Sequence, residues 1–198
     1  MAKETANHSV EREGLFYYRK FVLALAGLPL VGKTTLGKEL ENRSNLTLLE
    51  SDEARWEVFP EEMRGKILPA LQEAFAMRVA HQRNYEKARD LLLQEKPVIL
   101  TGTFSRQIYH DMIKNLSQRY SAPLKVIFLT CSDEEIKKRA QKKSADGTLS
   151  KEELLAAHYE VKNRYQIIQG VDLLEVNTEQ LFNEYFSQVL NFISDLRA

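Results

Sequence analysis

A single cysteine, Cys131, leaves this chain without an internal disulfide framework, so its core is held by packing alone and suits a reducing compartment. Its 28 basic residues are cancelled by 28 acidic ones, and a chain without net charge has no general field to coat nucleic acid or rest on an anionic membrane. Any such partner needs a local patch. Long apolar runs are missing too. The nearest, FVLALAGLPLVGKTT at residues 21–35, is broken by Gly27, Pro29 and Gly32 and stops at Lys33, well short of the roughly 20 residues that cross a bilayer. Ala24-Leu25-Ala26 imitates a signal-cleavage site, but only three residues separate it from Arg19-Lys20, too few for an apolar signal core. A cytoplasmic location with no membrane partner is expected. The four histidines, His8, His81, His110 and His158, show no ligand spacing with each other or with Cys131, so no transition-metal site is expected. Cys131 itself reads as a structural thiol.

What is present is the material of one globular domain: 198 residues, 43% of them hydrophobic. Five short runs rich in β-branched and large apolar residues read as strands: FVLALA (21–26), LTLLES (46–51), PVILTGT (97–103), KVIFLT (125–130) and DLLEVN (172–177). Most are almost continuously apolar, as strands buried on both faces are. Segments of helical spacing lie between them, including Tyr85, Ala88, Leu91, Leu92 and then Ile113, Leu116, Tyr120. Strand and helix alternate, which predicts an α/β three-layer sandwich around a five-stranded parallel sheet with right-handed crossovers. Residues 1–20 form a polar tail ending in Leu15, Phe16, Tyr17 and Tyr18, which are expected to cover an edge of the domain at 21–198. The polar stretch RAQKKSADGTLSKEE, Arg139–Glu153, reads as a mobile surface loop interrupting two helices.

Gly27-Leu28-Pro29-Leu30-Val31-Gly32-Lys33-Thr34 satisfies G-x-x-x-x-G-K-[ST] directly after a predicted strand and directly before a predicted helix that opens with Thr35-Leu36. Backbone N–H groups of such a turn, with the positive end of the helix dipole, face phosphates; Lys33 can reach the β and γ phosphates, and Thr34 can offer its hydroxyl to Mg²⁺. The apolar run is therefore a buried strand and its phosphate turn. Leu30 and Val31 are bulky for such a loop and are expected to crowd a nucleotide or tilt the backbone donors.

The second strand runs into Glu50-Ser51-Asp52-Glu53-Ala54-Arg55. At the carboxyl end of a strand next to the phosphate turn, Asp52 would point into the crevice where open parallel sheets hold ligands, and could take a proton from an attacking hydroxyl. It could equally be a helix N-cap. Arg55, one turn on, could neutralise charge on a transferring phosphoryl group. Trp56 reads as packing more readily than as a stacking platform.

Through GLPLVGKTT, SDEAR, KARDLLLQEKPVILTGTFSR and CSDEEIKKRAQKK, the chain resembles the branch of P-loop kinases that includes polynucleotide 5′-hydroxyl kinases and zeta-toxin-like ATP-binding kinases, from about Phe21 to Thr178. The resemblance implies a P-loop NTPase fold with strand order 2-3-1-4-5, ATP and Mg²⁺ as cofactors, Asp52 as general base and Arg55 on the acceptor or reacting phosphate. It implies Lys33 and Thr34 as the phosphate and Mg²⁺ contacts. It also places Arg139 and Lys143 in a lid near 139–153; most relatives carry arginine where Lys143 supplies a point charge. The third strand departs from the pattern, with Thr101, Gly102 and Thr103 where relatives carry an aspartate. Arg106, just beyond, is a candidate to face the acceptor.

These features read as an ATP-dependent kinase acting on a hydroxyl. Between Thr103 and Lys143 nine Lys or Arg stand against four Asp or Glu, while Glu39–Glu62 holds eight acidic residues against Arg43 and Arg55. Mixed fields favour a small-molecule or nucleotide-like acceptor over a polynucleotide 5′ end; a nucleotide-binding module without turnover is the other alternative.

Overall fold

The computed structural model describes residues 16–57, 70–147 and 149–198. Five parallel strands, β1 (Val22–Ala26), β2 (Thr47–Glu50), β3 (Val98–Thr101), β4 (Leu124–Thr130) and β5 (Asp172–Asn177), form one sheet in the order β2-β3-β1-β4-β5. Around them run α1 (Lys33–Asn42), α2 (Ser51–Trp56), α3 (Ala70–Leu93), α4 (Gln107–Arg119), α5 (Asp133–Asp146), α6 (Lys151–Asn163) and α7 (Phe182–Phe192).

The near-continuous apolarity of the central strands has the meaning expected of it, because successive side chains feed two separate cores. From β1, Leu23 and Leu25 pack with Leu36 and Leu40 of α1 and with Tyr185, Phe186 and Val189 of α7. Val22, Ala24 and Ala26 point the other way, toward Ala88 and Leu92 of α3 and Ile113 and Leu116 of α4. Each fully buried leucine contributes about 1.5–3 kcal/mol. The edge strand β5 is largely exposed, and of its six residues only Val176 is fully covered.

Register carries the strand ends to a common line. Leu25 of β1 sits opposite Thr101 of β3, Thr101 opposite Glu50 of β2, and Ala26 opposite Phe128 of β4. The phosphate turn, the β2–α2 junction and the end of β3 therefore share one edge of the sheet, where open α/β folds keep their ligands. On that edge α2 is tied to α3 by Glu57, which takes Arg83 at 3.1 Å and Lys87 at 3.0 Å.

One expectation changes. Arg139–Glu153 is mostly helical: Arg139 to Asp146 continue α5, and Lys151 to Glu153 open α6. Between Asp133 and Asp146 there is no glycine or proline, lysine, arginine, glutamine and alanine favour the helix, and the Ser132 hydroxyl caps its start by accepting from the Glu135 N–H. The break lies only at 147–150, after which a capping box between Ser150 and Glu153 starts α6. Near the N-terminus, Phe16 bridges to Ser44 and Tyr18 to Arg197. Residues 1–15, Leu15 among them, lie outside the described residues, as does the side chain of Trp56.

Candidate active site

Every carbonyl of the phosphate turn between residues 27 and 31 accepts a hydrogen bond. Lys33 Nζ donates to the Gly27 and Leu28 oxygens at 3.0 and 2.7 Å. The Pro29 oxygen meets His158 Nδ1 of α6 at 2.9 Å, and since a carbonyl only accepts, the bond places the proton on Nδ1. Leu30 O accepts from Arg139 Nη1 at 3.2 Å, and Val31 O from the Thr178 hydroxyl at 2.9 Å. With these carbonyls engaged, the turn's N–H groups are the backbone groups that an anion would meet.

The local sequence allows this path. Gly27 has φ 141°, and a Cβ there would stand 2.5 Å from the Leu129 carbonyl. Leu30 takes φ 72°, a left-handed conformation that costs a residue with a side chain about 1–2 kcal/mol. Val31 does not crowd the nucleotide side as its bulk suggested: it is 2% exposed, its side chain turned into the core with Leu36 and Leu129. Leu30 is half-buried and packs on the same core.

Arg139, placed by the resemblance in a lid, has its guanidinium shared among the Leu30 oxygen, the hydroxyl and carbonyl of Thr178 (both 2.9 Å) and Glu135 (2.9 Å). It clamps the β5–α7 connection to the phosphate turn. Lys143, one turn further along α5, is exposed, and its positive charge reaches Lys33.

Burial pushes the Lys33 ammonium down to about 8; the Asp52 carboxylate works against that shift and Lys143 adds to it. Polyphosphate arriving beside Lys33 restores the charged form, so binding takes up a proton wherever the free lysine has lost one. About 0.7 proton is expected at pH 8.5 and about 0.1 at pH 7, with ATP affinity falling as pH rises above about 8. Calorimetry of ATP binding in buffers of different ionisation enthalpy reads this directly; identical heats at pH 8.5 would contradict it.

Asp52 lies in the first turn of α2 and is not its N-cap. That position falls to Glu50, whose side chain makes no capping bond. Asp52 is exposed, and its charge is felt on one side by Lys33 and on the other by His81 of α3. Arg55, one turn on, is half-buried.

Three residues here escaped the sequence reading. Glu50 ends β2 at 8% exposure with its Oε1 unpartnered, and burial raises its pKa, with Lys38 and the Thr34 hydroxyl among the groups that lower it. It stands opposite Thr101, at the end of the strand that lacks a carboxylate. A carboxylate missing from β3 is thus present next door, and Glu-x-Asp at the end of an apolar strand was its signal. His158 and Thr178 left no comparable signal, since only the fold brings them to the turn. Among the described residues no group of three or more His, Cys, Asp or Glu could hold a metal. Thr34 with Glu50 fits a Mg²⁺ that draws most of its ligands from nucleotide phosphates and water.

The sequence profile described as "AAA domain" matches residues 22–166, most of the chain and the whole region from the first strand through the phosphate turn, Asp52 and α6. The chain belongs to this AAA domain family. No curated protein sequence matches it. Among solved structures, a Chloroflexus aurantiacus J-10-fl protein provisionally described as a kinase superposes with a TM-score of 0.71 at 22% identity, covering 90% of this chain and 98% of that one. A gluconokinase from Sinorhizobium meliloti 1021 gives 0.62 at 18%, covering 89% and 93%. The Mycobacterium tuberculosis APS kinase CysC, solved with AMPPNP and APS, gives 0.57 at 14%, covering 89% and 99%. Over about nine-tenths of its length the chain therefore shares the fold of these solved structures. No described helix is long and apolar enough to cross a membrane.

Proposed function

We propose that this protein is an ATP-dependent kinase that transfers the γ-phosphoryl group of ATP to a hydroxyl of a small-molecule or nucleotide-like acceptor. The observation that carries the reading is the placement of an exposed carboxylate, Asp52, within the electrostatic reach of Lys33 beside a phosphate turn whose carbonyls all accept hydrogen bonds. The gluconokinase and the APS kinase of the same fold support it as kinases of small molecules.

The N–H groups of Leu28 and of residues 30–35, Pro29 having none, and the α1 dipole bind the phosphates, and Lys33 leaves the Gly27 and Leu28 carbonyls to meet them. Thr34 and Glu50 would hold Mg²⁺, which supplies charge neutralisation along the phosphates when bound. Asp52 accepts the proton as the acceptor oxygen forms its bond to the γ-phosphorus; the bond from that phosphorus to the β–γ bridging oxygen breaks, and ADP carries the electron pair away. Arg55 faces the reacting phosphoryl group, Lys143 approaches it from α5, and Arg139 acts from behind by fixing Leu30. Catalysis is mostly positioning and charge neutralisation.

Purified protein with ATP, Mg²⁺ and a panel of hydroxyl compounds tests this. Acceptor-dependent ADP release is expected. Tight ATP binding with no turnover on any acceptor would leave a nucleotide-binding module instead. A 5′-hydroxyl oligonucleotide belongs in the panel at two salt concentrations, because a polynucleotide site neutralises several phosphates and loses affinity steeply with salt. Weak, nearly salt-independent binding of the oligonucleotide is expected; tight, salt-sensitive binding with phosphorylation of its end would make the protein a polynucleotide kinase.

A further inference from the structure

A small cleft opens between α3, the end of β3 and α4. His81, Asn84, Thr101, Phe104 and Tyr109 line it. Its enclosed volume is 20 Å³, room for one water-sized group, so it admits a substituent of a ligand and not a whole ring.

The polar atom in this cleft without a partner is His81 Nε2. His81 is 7% exposed, and that nitrogen makes no hydrogen bond. An orphaned buried nitrogen costs about 1–3 kcal/mol unless something answers it. Its ring is wedged in place: the Tyr109 centroid lies at 4.0 Å and that of Phe104 at 5.6 Å. Behind it a Cβ on Gly102 would come within 3.1 Å of His81 Cε1, so a glycine after β3 is what lets the imidazole lie over the strand end. Burial lowers the His81 pKa to about 4 against the pull of Asp52, so the ring is neutral at physiological pH. A neutral imidazole beside a carboxylate suits a hydroxyl.

Positive charge gathers near Tyr109: Arg106 stands at the start of α4, and the Gln166 N–H donates to Ser105 O at 3.3 Å and the Gln107 N–H to Gln166 Oε1 at 3.1 Å, which brings the end of α6, with Arg164, beside it. Burial raises the pKa of the Tyr109 phenol, and the charges of Arg106, Arg164 and Arg78 all reach it and oppose that shift. These arginines come from the start of α4, the end of α6 and α3. Arg164 pairs with Glu160, while Arg106 and Arg78 are exposed and make no ion pair among the described residues. Neither belongs to the phosphate turn at residues 27–35.

We propose that this cleft is the acceptor subsite and that it selects a small hydroxy compound carrying an anionic group, a phosphate monoester or a carboxylate. The reacting hydroxyl lies at Asp52, a neighbouring hydroxyl or hydroxymethyl substituent bonds to His81 Nε2, and the anion lies at the rim of Arg78, Arg106 and Arg164. The assignment rests on the kinase reading and adds the class of acceptor to it. A polynucleotide would bring its own run of phosphates past the acidic α2 turn of Asp52 and Glu53, which a compact acceptor avoids.

The test uses matched pairs that differ in the anion: glycerol and glycerol 3-phosphate, glucitol and gluconate, uridine and uridine 5′-monophosphate, with a 5′-hydroxyl oligonucleotide alongside. Two readouts are taken on the full chain, KM and kcat from ADP release, and the His81 ring signals in ¹³C-histidine-labelled protein during titration with each compound. At least one anionic member is expected to show a KM about 10-fold or more below its uncharged partner, the size expected for charge-assisted hydrogen bonds. Arg106→Ala, at an exposed position, should erase that preference without moving the KM for ATP. His81→Phe keeps the ring contact with Tyr109 and should raise the acceptor KM for both members of the pair. Phosphate and carboxylate pairs separate the two anion sources. Equal KM values within every pair, or an oligonucleotide preferred to uridine 5′-monophosphate, would overturn the subsite and leave the kinase reading standing. Absence of acceptor-dependent ADP release would overturn the kinase reading. In that case a saturable His81 shift caused by anionic members, and lost in Arg106→Ala, would still support an anion-selective binding site, and no shift would remove that as well.

Discussion

Asp52→Asn is expected to lower kcat by a factor of about 10² to 10⁴, the usual weight of a general base, with ATP affinity at pH 7 essentially unchanged. The substitution is nearly isosteric at an exposed residue that caps no helix, so the fold does not depend on it. What it removes is the acceptor for the proton released when the hydroxyl attacks. It also removes the negative charge that holds the Lys33 pKa up, so the lysine of the variant loses its proton at a lower pH than in the wild type. The variant should therefore bind ATP as the wild type does at pH 7 and more weakly than the wild type as pH rises through 8. Single-turnover rates combined with calorimetry separate the two effects. Wild-type turnover in the variant would reduce Asp52 to a surface carboxylate.

Lys33→Ala is expected to remove most ATP binding, raising Kd by about 100-fold or more, because each hydrogen bond from a charged group is worth about 1.5–3 kcal/mol and the ammonium can serve two phosphates. Without ligand, Lys33 spends those donors on the Gly27 and Leu28 carbonyls. Their loss loosens the first half of the turn, while His158, Arg139 and Thr178 still hold Pro29, Leu30 and Val31. Thermal unfolding of the free protein should move little, since burying the charged lysine was itself unfavourable. The proton uptake at pH 8.5 should vanish with the lysine. Unchanged affinity and turnover would show that the turn does not serve phosphate.

The turn was legible because its chemistry is local. Two glycines, a lysine and a threonine at fixed spacing, set between an apolar strand and a helix, can be recognised without the rest of the chain. The sheet was legible for a similar reason, since central strands buried on both faces leave unbroken apolar runs. The exceptions follow from missing local signals. Arg139–Glu153 looks like a loop by polarity, yet a solvated helix is equally polar, and only its glycine and the Ser150 cap mark the true break. Val31 looks obstructive in a phosphate turn until the path of the chain turns its side chain into the core.

Sequence alone settled the alternation of strand and helix, the glycine-lysine turn between the first strand and the first helix, and the place of Asp52 just beyond the second strand. Each depends on residues within a few positions of one another, where backbone propensity and side-chain period act directly. Only the tertiary structure decided what surrounds them. Crossovers of the parallel sheet bring Glu50 beside Thr34, lay Arg139, His158 and Thr178 against the back of the turn, and set His81 over Gly102 with three arginine charges near Tyr109. Apart from Arg106, three residues before Tyr109, those neighbours are separated by 16 to more than 140 residues along the chain. Their proximity comes from closing long loops around two cores, and no short-range pattern in the sequence records it.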